Sequence, residues 1–148
     1  MPRASGRRTR ERGALPKLDL DRALIAVFIG AMNANGHVSP AEAARTHHLI
    51  WSTHRFRRKS GETVGRIIDA MRTLLEERET SAVLGAAIAA IPVRLRPSTF
   101  AVVADLLLAD GRIDSRERTF LQRLGRELAI APAIRRRIVD VILLKNQL

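Results

Sequence analysis

Residues 35–42, NGHVSPAE, and residues 110–117, DGRIDSRE, are two versions of one turn. In each copy a small polar residue and a glycine follow an apolar segment, and a branched apolar residue comes two positions after the glycine. A capping residue then stands three positions before a glutamate, as in a helix capping box. The two glycines lie 75 residues apart, about half of the 148-residue chain. This spacing predicts two related halves rather than a long array of short repeats.

The segments around the two turns are predicted to be helices, because apolar residues recur there at three- and four-residue steps and Ala and Leu are abundant. In the second helix, Ser39 is the predicted N-cap, Pro40 the first helical residue and Glu42 the capping-box partner. The sequence contains no strand or hairpin pattern that would favour a sheet. We therefore predict an all-α domain of about seven helices in two internally repeated halves. These helices are expected at residues 18–33, 40–56, 62–78, 81–91, 97–109, 115–128 and 132–146.

The chain is strongly basic, with a formal net charge of +11 from 26 Lys and Arg against 15 Asp and Glu. Residues 1–17 hold six of these basic residues and one glutamate, and they contain few apolar residues. We expect residues 1–17 to be a disordered basic arm and residues 18–148 to form one helical domain. The arm lacks the apolar core of a secretory signal, and no apolar stretch reaches the roughly 18 residues of a membrane span. The chain has no cysteine, which excludes disulfides and thiolate metal sites and fits a cytoplasmic location.

Asp110 and Glu117 are the strongest candidates for chemistry, because carboxylate oxygens are the ligands that hard divalent cations such as Ca²⁺ prefer. The second turn also imitates the latter half of an EF-hand loop. Positions one and three of such a loop would be Leu106 and Leu108, which cannot ligate, so an EF-hand is excluded. Two interpretations stay open from the residues alone. Either the acids only cap helices by accepting from free N–H groups, or they hold a cation.

A basic turn follows the second predicted helix, with four cationic side chains placed around Phe56. They are Arg55, Arg57, Arg58 and Lys59. Clustered basic residues next to an aromatic ring are typical of surfaces that meet phosphate, on nucleic acid or on anionic lipid. The alternative is a solvated turn without a partner.

The remaining residue types favour neither an enzyme nor a zinc protein. The sequence has no nucleophile elbow, phosphate-binding glycine loop or dinucleotide fingerprint. We therefore expect no catalysis and no small-molecule substrate. His47 and His54 lie seven positions apart, but zinc sites need three or four converging ligands, so isolated histidines are expected.

The doubled turn and its flanks resemble the TerB family, the tellurite-resistance-associated helical domains of bacteria. The similarity is strongest in residues 100–114, FAVVADLLLADGRID, and continues through Glu117 to the C-terminal segment 138–146, IVDVILLKN. The first copy, residues 28–56, is similar too. The resemblance therefore covers about residues 18–148 and leaves only the arm outside.

Members of this family are all-helical with two related halves, and acids of their turns are implicated in binding divalent metal. The resemblance implies metal binding by Asp105, Asp110 and Glu117 in the second half and by Glu42 in the first. We expect Asp110 and Glu117 to be direct ligands. The further ligands, or partners that hydrogen-bond to the ligands, are expected to be Asp105 and Asp114, with Asn35 and Glu42 contributing from the other half. The chain departs from the family at Asn35, where an Asp is usual, and at Gly30, which takes the place matching Asp105.

Two functional hypotheses follow. The first is a cytoplasmic TerB-like protein that binds a divalent cation, with Ca²⁺ as the first candidate, and acts with a protein partner as a stress-response interaction module associated with tellurite resistance. The second is a metal-independent adaptor that its basic arm recruits to nucleic acid or to an anionic membrane, such as the inner membrane face.

Overall fold

A computed structural model describes residues 13–34, 36 and 38–148. This part of the chain is all-α, as predicted, with seven α-helices, a short 3-10 helix at Val93–Leu95 and no strand. The helices are α1 (Leu20–Met32), α2 (Pro40–Ser52), α3 (Gly61–Glu77), α4 (Thr80–Ala90), α5 (Arg96–Leu107), α6 (Ser115–Glu127) and α7 (Pro132–Lys145).

Both copies of the repeated turn join two helices, α1 to α2 and α5 to α6. Their glycines adopt left-handed backbone conformations, with φ of +75° at Gly36 and +68° at Gly111. Each following helix begins with the predicted capping box, in which the cap side chain and the glutamate side chain exchange hydrogen bonds with each other's backbone N–H groups. The local turn was therefore predicted correctly in both copies, whereas the division of the whole chain into two repeated halves stays a prediction.

Helix α1 is the most enclosed helix of the described part of the chain. Every residue from Ala23 to Ala31 is buried, because α1 packs against α2, α3, α4 and α5. A side chain at Gly30 would come within 2.9 Å of Leu84 on α4, so the absence of a Cβ there allows these two helices to approach closely. Helix α5 also contacts several helices but leaves more of its surface open. Burial of α1 thus organises the core.

Helix α2 ends at Ser52, four residues before the predicted end at Phe56. The Thr53 hydroxyl donates to the Ile50 carbonyl at 2.7 Å, and the chain leaves the helix there. The following turns point Phe56 into the core, where it is 1% exposed. The sequence-based boundary was wrong because burying this aromatic ring in the core outweighs continuing the helix.

The packed domain begins before the predicted boundary at residue 18. Leu15 packs against the core and Leu18 is buried. The carbonyl of Gly13 accepts a hydrogen bond of 2.7 Å from Arg78. The rest of the predicted arm, residues 1–12, lies outside the described residues.

Within the described residues, no single helix is long and apolar enough to cross a membrane. The segments Thr80–Ala90 and Val93–Leu107 reach that length and composition only as a pair, which is bent by 107° at the break.

Candidate functional site

The two repeated turns bring three acids to one small cavity of about 60 Å³. Glu42 comes from the first turn of α2, Glu117 from the first turn of α6, and Asp110 from the loop before α6. The rest of the wall consists of two arginines and five other residues, namely Arg45, Arg112, Ala31, Met32, Thr46, Leu106 and Leu107. We call this space the acid cavity.

Arg45 supplies the positive charge that Asp110 meets in the acid cavity. Its Nη1 donates to Asp110 Oδ1 at 2.8 Å, a contact between residues 65 apart in the sequence. The Arg45 Nε is buried and has no hydrogen-bond partner within the described part of the chain. The sequence analysis missed this residue, although its place three positions after Glu42 puts both side chains on one face of α2.

The two glutamates are held in place by their capping role. Ser39 N–H donates to Glu42 Oε2 at 2.8 Å, and Asp114 N–H donates to Glu117 Oε1 at 3.3 Å. Each carboxylate therefore has one oxygen bound to its own turn, and the side chain reaches the acid cavity from a fixed position.

The acids of the site influence each other's ionisation. Burial raises the pKa of Glu117, and the negative charges of Asp114 and Glu42 raise it further, against the opposing effect of the hydrogen bond from Asp114 N–H. The hydrogen bond from the Glu117 backbone N–H lowers the pKa of Asp114. Because the charge of Glu42 acts on Glu117, the two copies of the turn are electrostatically linked. A cation near them would relieve this repulsion.

The other candidate ligands lie elsewhere. Asp105 lines a separate groove of about 530 Å³ between α2, α5 and the end of α7, and its Oδ1 accepts from Lys145 Nζ at 2.7 Å. Asp114 is the exposed N-cap of α6. Asn35 lies outside the described residues. Among the described residues, no group of three His, Cys, Asp or Glu side chains is arranged to hold a metal ion as they stand.

The basic turn is partly neutralised by an acid that the sequence analysis missed. Asp21 on α1 is paired with Arg55 and with Lys59, whose Nζ lies 3.1 Å from Asp21 Oδ2. Burial opposes ionisation of Asp21, but the hydrogen bonds and charges of the two cations outweigh it and lower its pKa. Arg57 contacts His54 Nδ1 at 3.0 Å. Arg55, Arg57 and Arg58 are exposed, so three of the four predicted anion contacts face solvent, Arg55 while it is paired with Asp21.

Phe56 cannot stack on a nucleic-acid base, because its ring is buried in the core. His47, His48 and His54 are exposed, while His37 lies outside the described residues. Phe56 therefore offers no aromatic contact to the basic turn, whereas the exposed His54 contacts Arg57.

The structure defines an all-α protein in which two capped turns both contribute acids to the acid cavity. A family model described as tellurite resistance protein TerB matches residues 21–140. The chain belongs to the TerB family, as the resemblance of its sequence predicted. No curated protein and no solved structure matches it significantly.

Proposed function

We propose that this TerB-family protein binds one divalent cation, with Ca²⁺ as the first candidate, in the acid cavity. The observation that carries the proposal is the convergence of Glu42, Asp110 and Glu117 from two separate turns on a cavity of about 60 Å³. Carboxylate oxygens suit hard cations, and a space of this size suits a small ion with few waters. The repulsion between Glu42 and Glu117 supports the same proposal, because a divalent ion would replace it with attraction.

Binding requires Asp110 to exchange its partner, because Arg45 holds it in the structure. Both side chains of this pair are partly exposed, at 36% for Arg45 and 67% for Asp110. Exposed ion pairs of this kind contribute about 0.2–1 kcal/mol, so a divalent ion can displace the guanidinium at modest cost. Glu42 and Glu117 would each ligate through a carboxylate that also caps its helix, and Asp110 would complete the set.

We propose that the protein is a cytoplasmic, stress-associated interaction module. The bound ion would fix the arrangement of the two turns around the acid cavity, and a protein partner would recognise that arrangement. The family to which the chain belongs supports the association with tellurite resistance. We propose no catalytic role.

The test is isothermal titration of Ca²⁺, Mg²⁺ and Zn²⁺ into the wild type and an Asp110→Asn/Glu117→Gln variant. Glutamine keeps the capping hydrogen bond at position 117, so the variant changes charge with little effect on the helix start. The matched control is Asp69→Asn/Asp140→Asn, which makes the same charge change at two exposed acids outside the cavity. We expect binding by the wild type and the control but not by the site variant. Equal heats for all three proteins, or none for the wild type, would contradict the proposal.

A second function is favoured by the charge of the chain, +11 overall, and by the exposure of Arg57 and Arg58. Here the protein would be a metal-independent adaptor for an anionic membrane surface or nucleic acid, with residues 1–12 adding further basic side chains. Deleting residues 1–12 retains Gly13 and its contact with Arg78, so the fold keeps that contact. The truncated chain should bind phosphatidylserine vesicles or duplex DNA more weakly, most clearly at low salt. Unchanged binding would argue against this function.

A further inference from the structure

A further cavity, of about 690 Å³, lies beside the second copy of the turn. Its two walls come from neighbouring helices, with Leu121 on α6 and with Val139 and Leu143 on α7. Leu108, directly after α5, and Ile113, in the loop before α6, complete the apolar surface. We call this space the α6–α7 groove.

The α6–α7 groove leaves apolar side chains open to solvent. Helices α6 and α7 both pack against α5, but they make little contact with each other. Leu143 is 39% exposed, Val139 and Ile113 are half-buried, and Leu108 and Leu121 form a buried floor. An apolar surface of this kind, rimmed by polar residues, marks an interaction site. A space between two helices suits a third helix, whose side chains pack into the grooves of its neighbours.

The rim of the α6–α7 groove is positively charged. Arg112 and Arg118 line it, and both are exposed. Neither guanidinium forms an ion pair with another residue in the described part of the chain. Among the described residues that line the groove, none is acidic. The rim therefore offers two arginines to carboxylates of a bound partner.

Charge also excludes the chain itself as the occupant. Residues 1–12 carry five arginines and one glutamate, so the basic rim would repel them. A second copy of the chain has the same net charge of +11, and its α7 begins with three consecutive arginines at 135–137. The complementary occupant is a different chain with acidic residues.

We propose that the α6–α7 groove binds an acidic amphipathic helix of a partner protein. The apolar face of that helix contacts Leu121, Val139 and Leu143, and its flanking Asp and Glu side chains pair with Arg112 and Arg118. This inference goes beyond the proposed function, because it concerns another surface and requires no bound ion.

The test uses fluorescein-labelled peptides of about 16 residues, long enough for a helix of about 24 Å. The first peptide has leucines at helical spacing and glutamates on both sides of that face, and the second has lysines in place of the glutamates. The third has the composition of the first in a shuffled order without an apolar face. Binding is measured by fluorescence anisotropy in buffer with EDTA. We expect the wild type to bind the first peptide at least about tenfold more tightly than the other two.

Two variants locate the bound peptide, each with a matched control. Leu143→Ala should weaken binding of the first peptide about tenfold, because it removes apolar surface from the wall. Its control is Leu144→Ala, at a residue that is 66% exposed and outside the groove, which should leave binding unchanged. Urea unfolding of each variant checks that the fold is retained.

The rim is tested with Arg112→Gln/Arg118→Gln, which should weaken binding about fivefold at low salt and less at high salt. The control, Arg57→Gln/Arg58→Gln, makes the same change of net charge at exposed residues outside the groove. Binding by this control should stay close to that of the wild type.

Several results would overturn the inference. They are no binding of the first peptide, equal binding of the shuffled peptide, and equal effects of either variant and its control. Binding of dodecanoate that Leu143→Ala abolishes, without binding of the peptide, would assign the groove to an anionic lipid instead. Self-association of the wild type that Leu143→Ala abolishes would assign it to a second copy. Because Leu143 does not line the acid cavity and the buffer contains EDTA, failure here leaves the proposed cation site untouched.

Discussion

Three substitutions between glycine and alanine should change stability in different directions, because Gly111 and Ala129 have a left-handed backbone and Gly85 is helical. Gly111 has φ of +68°, and a Cβ placed there would meet nothing within 4 Å. Gly111→Ala therefore tests backbone conformation without a steric clash. A Cβ in the left-handed region costs about 1–2 kcal/mol, and the reduced freedom of the unfolded chain returns about 0.4–1 kcal/mol. We expect a net loss of about 1 kcal/mol in the free energy of unfolding.

Ala129 provides the reverse experiment at the end of α6, where it has a left-handed φ of 56°. The hydrogen bonds around it, from Ile130 N–H to Gly125 and from Ala129 N–H to Arg126, form a Schellman motif, in which glycine is the usual residue. Ala129→Gly should therefore stabilise the protein by up to about 1 kcal/mol.

Gly85 provides the control, because it lies in the exposed middle of α4 and a Cβ added there would meet nothing within 4 Å. Gly85→Ala should stabilise the protein by about 0.5–1 kcal/mol, as expected for glycine in a helix interior. Urea unfolding followed by circular dichroism gives all three values, and 1 kcal/mol corresponds to a shift of about 4 °C in Tm. The reasoning is refuted if Gly111→Ala is as stable as Gly85→Ala, or if Ala129→Gly destabilises the chain.

Further predictions concern the core and the basic turn. Phe56→Ala should cost about 3–5 kcal/mol, because the ring is 1% exposed, whereas the half-buried Phe120→Ala should cost less in the same urea assay. Gly125→Ala should cost about 1–3 kcal/mol in thermal unfolding, because its Cβ would lie 2.3 Å from Arg135 Cδ and 3.1 Å from Phe100 Cε2; an unchanged Tm would contradict this packing. The pKa of Asp21 is lowered from its ordinary value of 3.8, so its stabilising effect is present above that pH and is lost as the pH falls through the folded pKa. Asp21→Asn should therefore lower stability by about 1 kcal/mol near neutral pH and by progressively less in acid, and a pH-independent difference would show that the ion pairs are not its cause.

The sequence by itself determined the parts of this protein that depend on neighbours a few residues apart. Ser39 with Glu42 and Asp114 with Glu117 form capping boxes within a single turn, so the residue types and their spacing predict where α2 and α6 begin. The repeated motif also led to the TerB family, which the family model confirms.

Only the tertiary structure decided which residues meet across the chain. Arg45 and Asp110 are 65 residues apart, and Arg55 and Asp21 are 34 apart, and no local pattern marks either pair. These contacts result from the way α1 is enclosed by its neighbours, a packing that depends on the shapes of many side chains together. The same packing separates Asp105 from the acid cavity and turns Phe56 inward. The sequence thus identified the acids. The fold determined which of them share the acid cavity and which basic side chain each of them contacts.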